Sequence, residues 1–176
     1  MRGASSRHRS RRRRPPGNGP ANAARPAAAP PAAAPDGYAA LRAVEAYIQS
    51  CGLPGRLIEL VKMRGSQING CAFCLDMHSK DARRQGETEQ RLYLLNAWRE
   101  SPLYTAAERA ALGWTEALTL VAQNGTPEAA SEALRAHFSD KEIVDLTILI
   151  GMINLWNRLA IGLRFEHGGG RAAAAA

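Results

Sequence analysis

Between Tyr38 and Phe165 apolar residues recur at three- and four-residue steps with few β-branched runs, the pattern of amphipathic helices following one another. Tyr38 to Ser50 carries Leu41, Val44 and Ile48 on one stripe, and Leu57 to Ile68, opened by Pro54, carries Leu57, Leu60, Val61 and Ile68. Asn69 and Gly70 interrupt the pattern, and Cys71 to Gln85 resumes it before Gly86, placed to close a helix at its C-terminus. Thr88 opens a helix that runs through Leu92, Leu95 and Trp98 to Ser101 and Pro102. Thr105 with Glu108 forms a capping box for one through Leu112, Leu118 and Val121. Thr126, Pro127 and Glu128 start a short helix, with proline where its missing donor does no harm. Ser139 with Glu142 opens the most apolar element, from Ile143 through Leu149 and Met152 to Trp156. The pattern predicts an all-α helical bundle without internal repeats.

The last helix is apolar on most of its circumference and must be covered on nearly every side. A domain of about 140 residues has little surface to spare for that, so the pattern predicts subunit contacts and a homo-oligomer.

Composition divides the chain. Residues 1–36 hold seven of the ten prolines, long Ala/Pro runs and eight arginines, with no Leu, Ile, Val, Phe, Trp or Tyr to bury. Such a segment is expected to be disordered, as is the Gly/Ala-rich 169–176, leaving 37–168 as one helical domain. The same division changes the meaning of the net charge of +7. Eight Arg against one Asp put +7 in residues 1–36, whereas fifteen basic and fifteen acidic residues leave the remainder neutral. Attraction to nucleic acid or anionic lipid therefore belongs to the tail, chiefly Arg7 to Arg14, and not to the domain. The tail is Arg- and Ser-rich like a transit peptide but lacks amphipathic apolar positions. No apolar run follows the arginines to make a secretory signal, and no stretch of about 18 apolar residues predicts a membrane span. The expectation is a soluble cytoplasmic protein.

In a reducing compartment three cysteines do not read as a structural disulfide framework; a close Cys-x-x-Cys pair is catalytic or metal-binding. Cys71, Cys74 and His78 form a C-x-x-C-x-x-x-H run, with Glu59 twelve residues upstream of Cys71. On a helix, offsets of three and seven residues place both thiols and the imidazole on one face. One thiol can attack an oxidant and its neighbour can resolve the product, while an imidazole and a carboxylate move the protons that thiolate chemistry requires.

Two arguments disagree over which thiol attacks. Cys71 is nearer the helix N-terminus, where the dipole favours a thiolate, whereas His78 lies one turn past Cys74. Plainer readings stand beside these. Glu59 taken alone reads as a surface acid, the cysteine pair as core filling, and Cys51, before Gly52 and Pro54 at a helix end, as a small buried apolar residue. Zinc could take Cys71, Cys74 and His78 with Cys51 or His137 as a fourth ligand, but no second Cys-x-x-Cys is present. Covalent haem attachment needs His directly after the second Cys, and Leu75 is there. His137 reads as a helix C-terminal residue favourable to the dipole.

The E-x(11)-C-x-x-C-x-x-x-H pattern, with Ile68-Asn69-Gly70-Cys71-Ala72-Phe73-Cys74 around it, resembles the AhpD-like alkylhydroperoxidases of the carboxymuconolactone decarboxylase family. The resemblance spans roughly Tyr38 to Phe165, and the cysteine pair sets it apart from the decarboxylase members. It implies an all-helical fold in homotrimers or homohexamers that reduces hydroperoxides by thiol chemistry, with no metal or organic cofactor. It also implies an external dithiol reductant such as a dihydrolipoyl protein, with a peroxiredoxin as partner. Carried onto this chain, Cys74 would attack the peroxide, Cys71 would donate a proton and resolve the sulfenic acid, and Glu59 and His78 would form the proton relay. The resemblance is followed on this point, because contacts of His78 and Glu59 with Cys74 outweigh a dipole term of about 1 kcal/mol. A disulfide oxidoreductase and a redox-sensing oligomer remain as alternatives that use the same pair without peroxide.

Overall fold

The computed structural model describes residues 30–167, which are helical and connecting segments with no strand among them. The elements are α1 (Pro30–Ala33), α2 (Pro35–Ser50), α3 (Gly55–Asn69), α4 (Ala72–Arg84), α5 (Glu89–Leu94), α6 (Ala106–Thr119), α7 (Val121–Asn124), α8 (Glu128–Arg135) and α9 (Asp140–Gly162). The Arg-rich part of the tail expected to be disordered, and the final Gly/Ala residues, lie outside the described residues. Helix begins before the compositional boundary, since α1 and the start of α2 precede Gly37. Tyr38 is the first buried residue of α2.

Both predicted capping boxes are present: Thr105 and Ser139 each accept from the backbone N–H of the glutamate three residues on, which reaches back to their own. Two boundaries and the burial of one cysteine differ from the sequence pattern. The helix expected from Thr88 to Ser101 stops at Leu94 and tightens into a 3₁₀ turn over Leu95–Ala97. Leu95 and Trp98 still reach the core, because i+3 spacing serves a 3₁₀ turn as well as an α-helix. The helix through Val121 divides at Leu120 into α6 and α7, and Val121 is half exposed. Cys51 caps the C-terminus of α2 and is half-buried rather than buried, its thiol donating to the Ile48 carbonyl.

The other helices are arranged around α3, with α4, α6 and α9 packed against it. Nine of its fifteen residues are buried, and Leu60 and Val61 are fully enclosed. One cluster joins Ile58 and Val61 to Leu146, Leu149 and Ile150 of α9 and Ala111 of α6, and a second joins Leu60 to Leu92, Leu95, Trp98 and Leu112. Gly65 sets the closeness of α3 to α9, since a Cβ there would lie 3.2 Å from Ile153 Cγ2.

α9 departs from one expectation. Its 23 residues are long and apolar enough by length and composition alone to cross a membrane. Its inner residues Leu146, Leu149, Ile150 and Ile153 form the core of this bundle. Val144 and Leu155 are left exposed on the side away from that core, and Ile161 is half exposed near the C-terminal end. The single chain thus covers the core-facing side of the helix that the sequence requires to be covered, but not its whole circumference.

Candidate active site

The site is built at the junction of α3 and α4. Gly70 ends α3 in the left-handed region at φ 69°, a conformation that glycine adopts without the penalty a Cβ brings. Its N–H bonds to Gln67 O, and the N–H of Cys71 bonds to Ser66 O at 3.1 Å. The chain therefore reverses within two residues, and α4 folds back along α3. Asn157 of α9, fully buried, secures this turn: it accepts from the Asn69 side-chain amide at 2.8 Å and donates to Ser66 Oγ at 3.0 Å. Asn154 accepts a second hydrogen bond from Asn69 at 2.9 Å.

Cys71 becomes the N-cap of α4, its sulfur accepting from the Cys74 N–H at 3.3 Å. The two cysteines have Cα atoms 5.4 Å apart and sulfurs within disulfide-forming reach. Both are buried, packed beside Ile153 and Ala160 of α9 with Phe73, Trp156 and Phe165 around them. One turn further on, His78 Nδ1 lies 2.9 Å from Glu59 Oε2. With the carboxylate ionised it can only accept, so Nδ1 donates and Nε2 remains as the ring's second proton site. Glu59 is not the surface acid it resembles in isolation: its side chain is 8% exposed and that of His78 6%.

These groups open onto a cavity of about 500 Å³ between α2, α3, α4 and α9. Cys74, Glu59 and His78 line it, and Cys71 does not. Tyr38 and Trp156, edge to face at 5.3 Å, and Phe73 and Phe165, likewise at 5.2 Å, supply apolar walls. Lys62, one turn past Glu59 and 3% exposed, also lines it and is ion-paired with Glu45, which accepts a further bond from the Trp156 indole at 3.4 Å.

The four residues singled out in the sequence thus converge. The zinc set does not assemble around them: Cys51 packs against the α2–α3–α9 core and His137 is exposed past α8. A different trio, Glu59, His78 and Asp81, brings its side-chain ligand atoms within 4.8 Å of one another. Sequence reasoning missed Asp81, Lys62 and Glu45. Spacing could have found the first two, because Asp81 lies three residues after His78 and Lys62 three after Glu59, on the same helix faces. Nothing local marks Glu45, which the fold brings in from α2.

The all-helical bundle, with a Cys-x-x-Cys pair and a buried Glu–His couple on one cavity, defines the class, and this chain belongs to the carboxymuconolactone decarboxylase family. The family's model matches residues 32–117. The uncharacterized protein YdfG of Bacillus subtilis is 42% identical over 129 residues, covering 73% of this chain and 88% of that protein. Among solved structures, a protein of unknown function from Agrobacterium tumefaciens, described as a candidate antioxidant defence protein AhpD, is 53% identical with a TM-score of 0.76. That match covers 79% of this chain and 95% of the other. The debrominase Bmp8 shares the fold at 21% identity and a TM-score of 0.69, over 76% of this chain and 72% of its own.

Proposed function

We propose that this protein is a thiol peroxidase that reduces organic hydroperoxides, with Cys74 as the attacking sulfur and Cys71 as the resolving one. The observation that carries the reading is that Cys74 lines the cavity together with the Glu59–His78 couple, while Cys71 stands behind it at the helix N-terminus. The geometry therefore favours access through Cys74 even though the dipole favours a thiolate at Cys71.

The Cys74 thiolate attacks the terminal oxygen of the hydroperoxide. The O–O bond breaks, an S–O bond forms, sulfur loses two electrons, and the leaving alkoxide takes the proton that Cys74 gave to the couple. Cys71 then attacks the sulfenic sulfur and its proton leaves with hydroxide as water. An external dithiol, of the dihydrolipoyl class, resets the pair. The aromatic walls fit an alkyl or aryl group beside the peroxide. Val144 and Leu155, exposed on one face of α9, support a homo-oligomer built on that helix.

Intact mass after one equivalent of cumene hydroperoxide tests the assignment. Wild type should lose two hydrogens, and Cys71→Ser should gain one oxygen. Oxygen gain in Cys74→Ser instead would reverse the roles. A disulfide reductase would pass through no sulfenic acid, so the absence of dimedone trapping in Cys71→Ser would favour that second reading.

A further inference from the structure

The Glu59–His78 couple lies at the inner wall of the cavity with only 8% and 6% of its side-chain surface exposed, and the cycle needs protons from outside. When an external dithiol reduces the Cys71–Cys74 disulfide, its two thiols lose their protons to water as they attack. Two protons must then reach the reduced pair so that both sulfurs can return to the thiol form. A titratable group nearer the cavity mouth would pass those protons to the couple without a free water chain reaching the buried ring.

We propose that Asp81 is that group, the port through which His78 exchanges protons with water; this rests on the Cys71–Cys74 redox cycle above. Three observations support the assignment. The first is proximity: the ligand atoms of Asp81, His78 and Glu59 all lie within 4.8 Å of one another, one bridging water or a small side-chain rotation from proton transfer. The second is a gradient along a single face of α4. His78, Asp81 and Arg84 follow at three-residue steps, and their side-chain exposures rise from 6% to 35% to 73%, so Asp81 stands between the buried ring and bulk water. The third is the way Asp81 is held. Arg84 pairs with Oδ1, and among the described residues Oδ2 makes no hydrogen bond to the protein, leaving it for a water or the imidazole.

The other charged groups facing the cavity do not serve as well. Glu45 on α2 is committed to Lys62 of α3 and the Trp156 indole. Arg42 on α2, like Arg84, is a guanidinium, which cannot give up a proton in water. Asp81 acts through His78 and touches no reacting atom, so it is a positioning residue and not a catalytic one.

A rescue experiment separates proton traffic from architecture. Asp81→Asn keeps size and hydrogen bonding to Arg84 but cannot relay a proton. Reduction of its Cys71–Cys74 disulfide by dithiothreitol should slow by roughly tenfold or more. The rate should climb back toward wild type as acetate or formate buffer is raised, while wild type stays insensitive to buffer, and Asp81→Glu should retain most of the rate. Hydroperoxide turnover, measured in parallel, should follow the same order. A wild-type-like rate in Asp81→Asn at low buffer would overturn the proposal, as would a loss that no buffer concentration restores. Because disulfide reduction needs no peroxide, absence of hydroperoxide consumption by wild type would refute the peroxidase reading and leave the port still decided by the dithiothreitol arm.

Discussion

Replacing Glu59 by Gln changes one oxygen to an amide nitrogen, with the same shape, at a position 2.9 Å from His78 Nδ1. The amide oxygen can still accept from the ring, so the imidazole stays in place. What is lost is the negative charge and the capacity to hold a proton. A hydrogen bond to a charged group contributes about 1.5–3 kcal/mol where a neutral one contributes about 1, and at about 1.4 kcal/mol per tenfold the difference sets a floor of a few-fold on the rate. If the carboxylate also accepts the Cys74 proton, general-base loss adds a factor of about 10² or more. The expected outcome is a fall of about 10²-fold in the rate of Cys74 oxidation by cumene hydroperoxide, read by stopped-flow in the Cys71→Ser background so that resolution does not intervene. Stability should change little, because Gln buries no charge and keeps one bond. A Glu59→Gln protein with a native circular dichroism spectrum and an oxidation rate within twofold of its parent would refute the relay.

Asn157→Leu leaves the Asn69 amide and Ser66 hydroxyl without their buried partner. It should cost about 1–3 kcal/mol in urea unfolding and slow closure of the Cys71–Cys74 disulfide, read by intact mass. Gly70→Ala meets no clash, since nothing lies within 4 Å of its Cβ position, so the cost should be the left-handed backbone alone, about 1–2 kcal/mol, with the peroxide reaction retained. Asp145 is held below the ordinary carboxylate range by the Lys141 ammonium and the Tyr47 hydroxyl, each bonded at 2.7 Å. Its contribution to stability is present above the unfolded value of about 3.9 and is lost as pH falls through the lower folded value. Asp145→Asn should therefore lower the urea midpoint at pH 7, and the gap to wild type should close below about pH 4; a gap constant with pH would contradict the assignment.

Helix type, the two capping boxes at Thr105 and Ser139, and the glycine stop at Gly70 were legible in the chain, because each depends on residues within four positions of one another. So was the shared face of Cys74 and His78, which follows from helical spacing alone. Two interruptions were not. Leu95 and Trp98 fit an α-helix and a 3₁₀ turn equally well by pattern, and Leu120 carries no residue that stops a helix. No local signal in the chain marks either break.

The amino-acid order by itself determined a run of amphipathic helices and a thiol pair with an imidazole one turn away, since local periodicity fixes which side chains share a face. It could not determine that Glu59 is buried against His78, that Cys74 and not Cys71 meets the cavity, or that Lys62 finds Glu45. Those depend on how α2, α3, α4 and α9 close on one another, set by the reversal at Gly70, the Asn157 clamp and the close approach at Gly65. Burial and charge pairing are properties of neighbours distant in sequence, and only the packed structure chooses those neighbours.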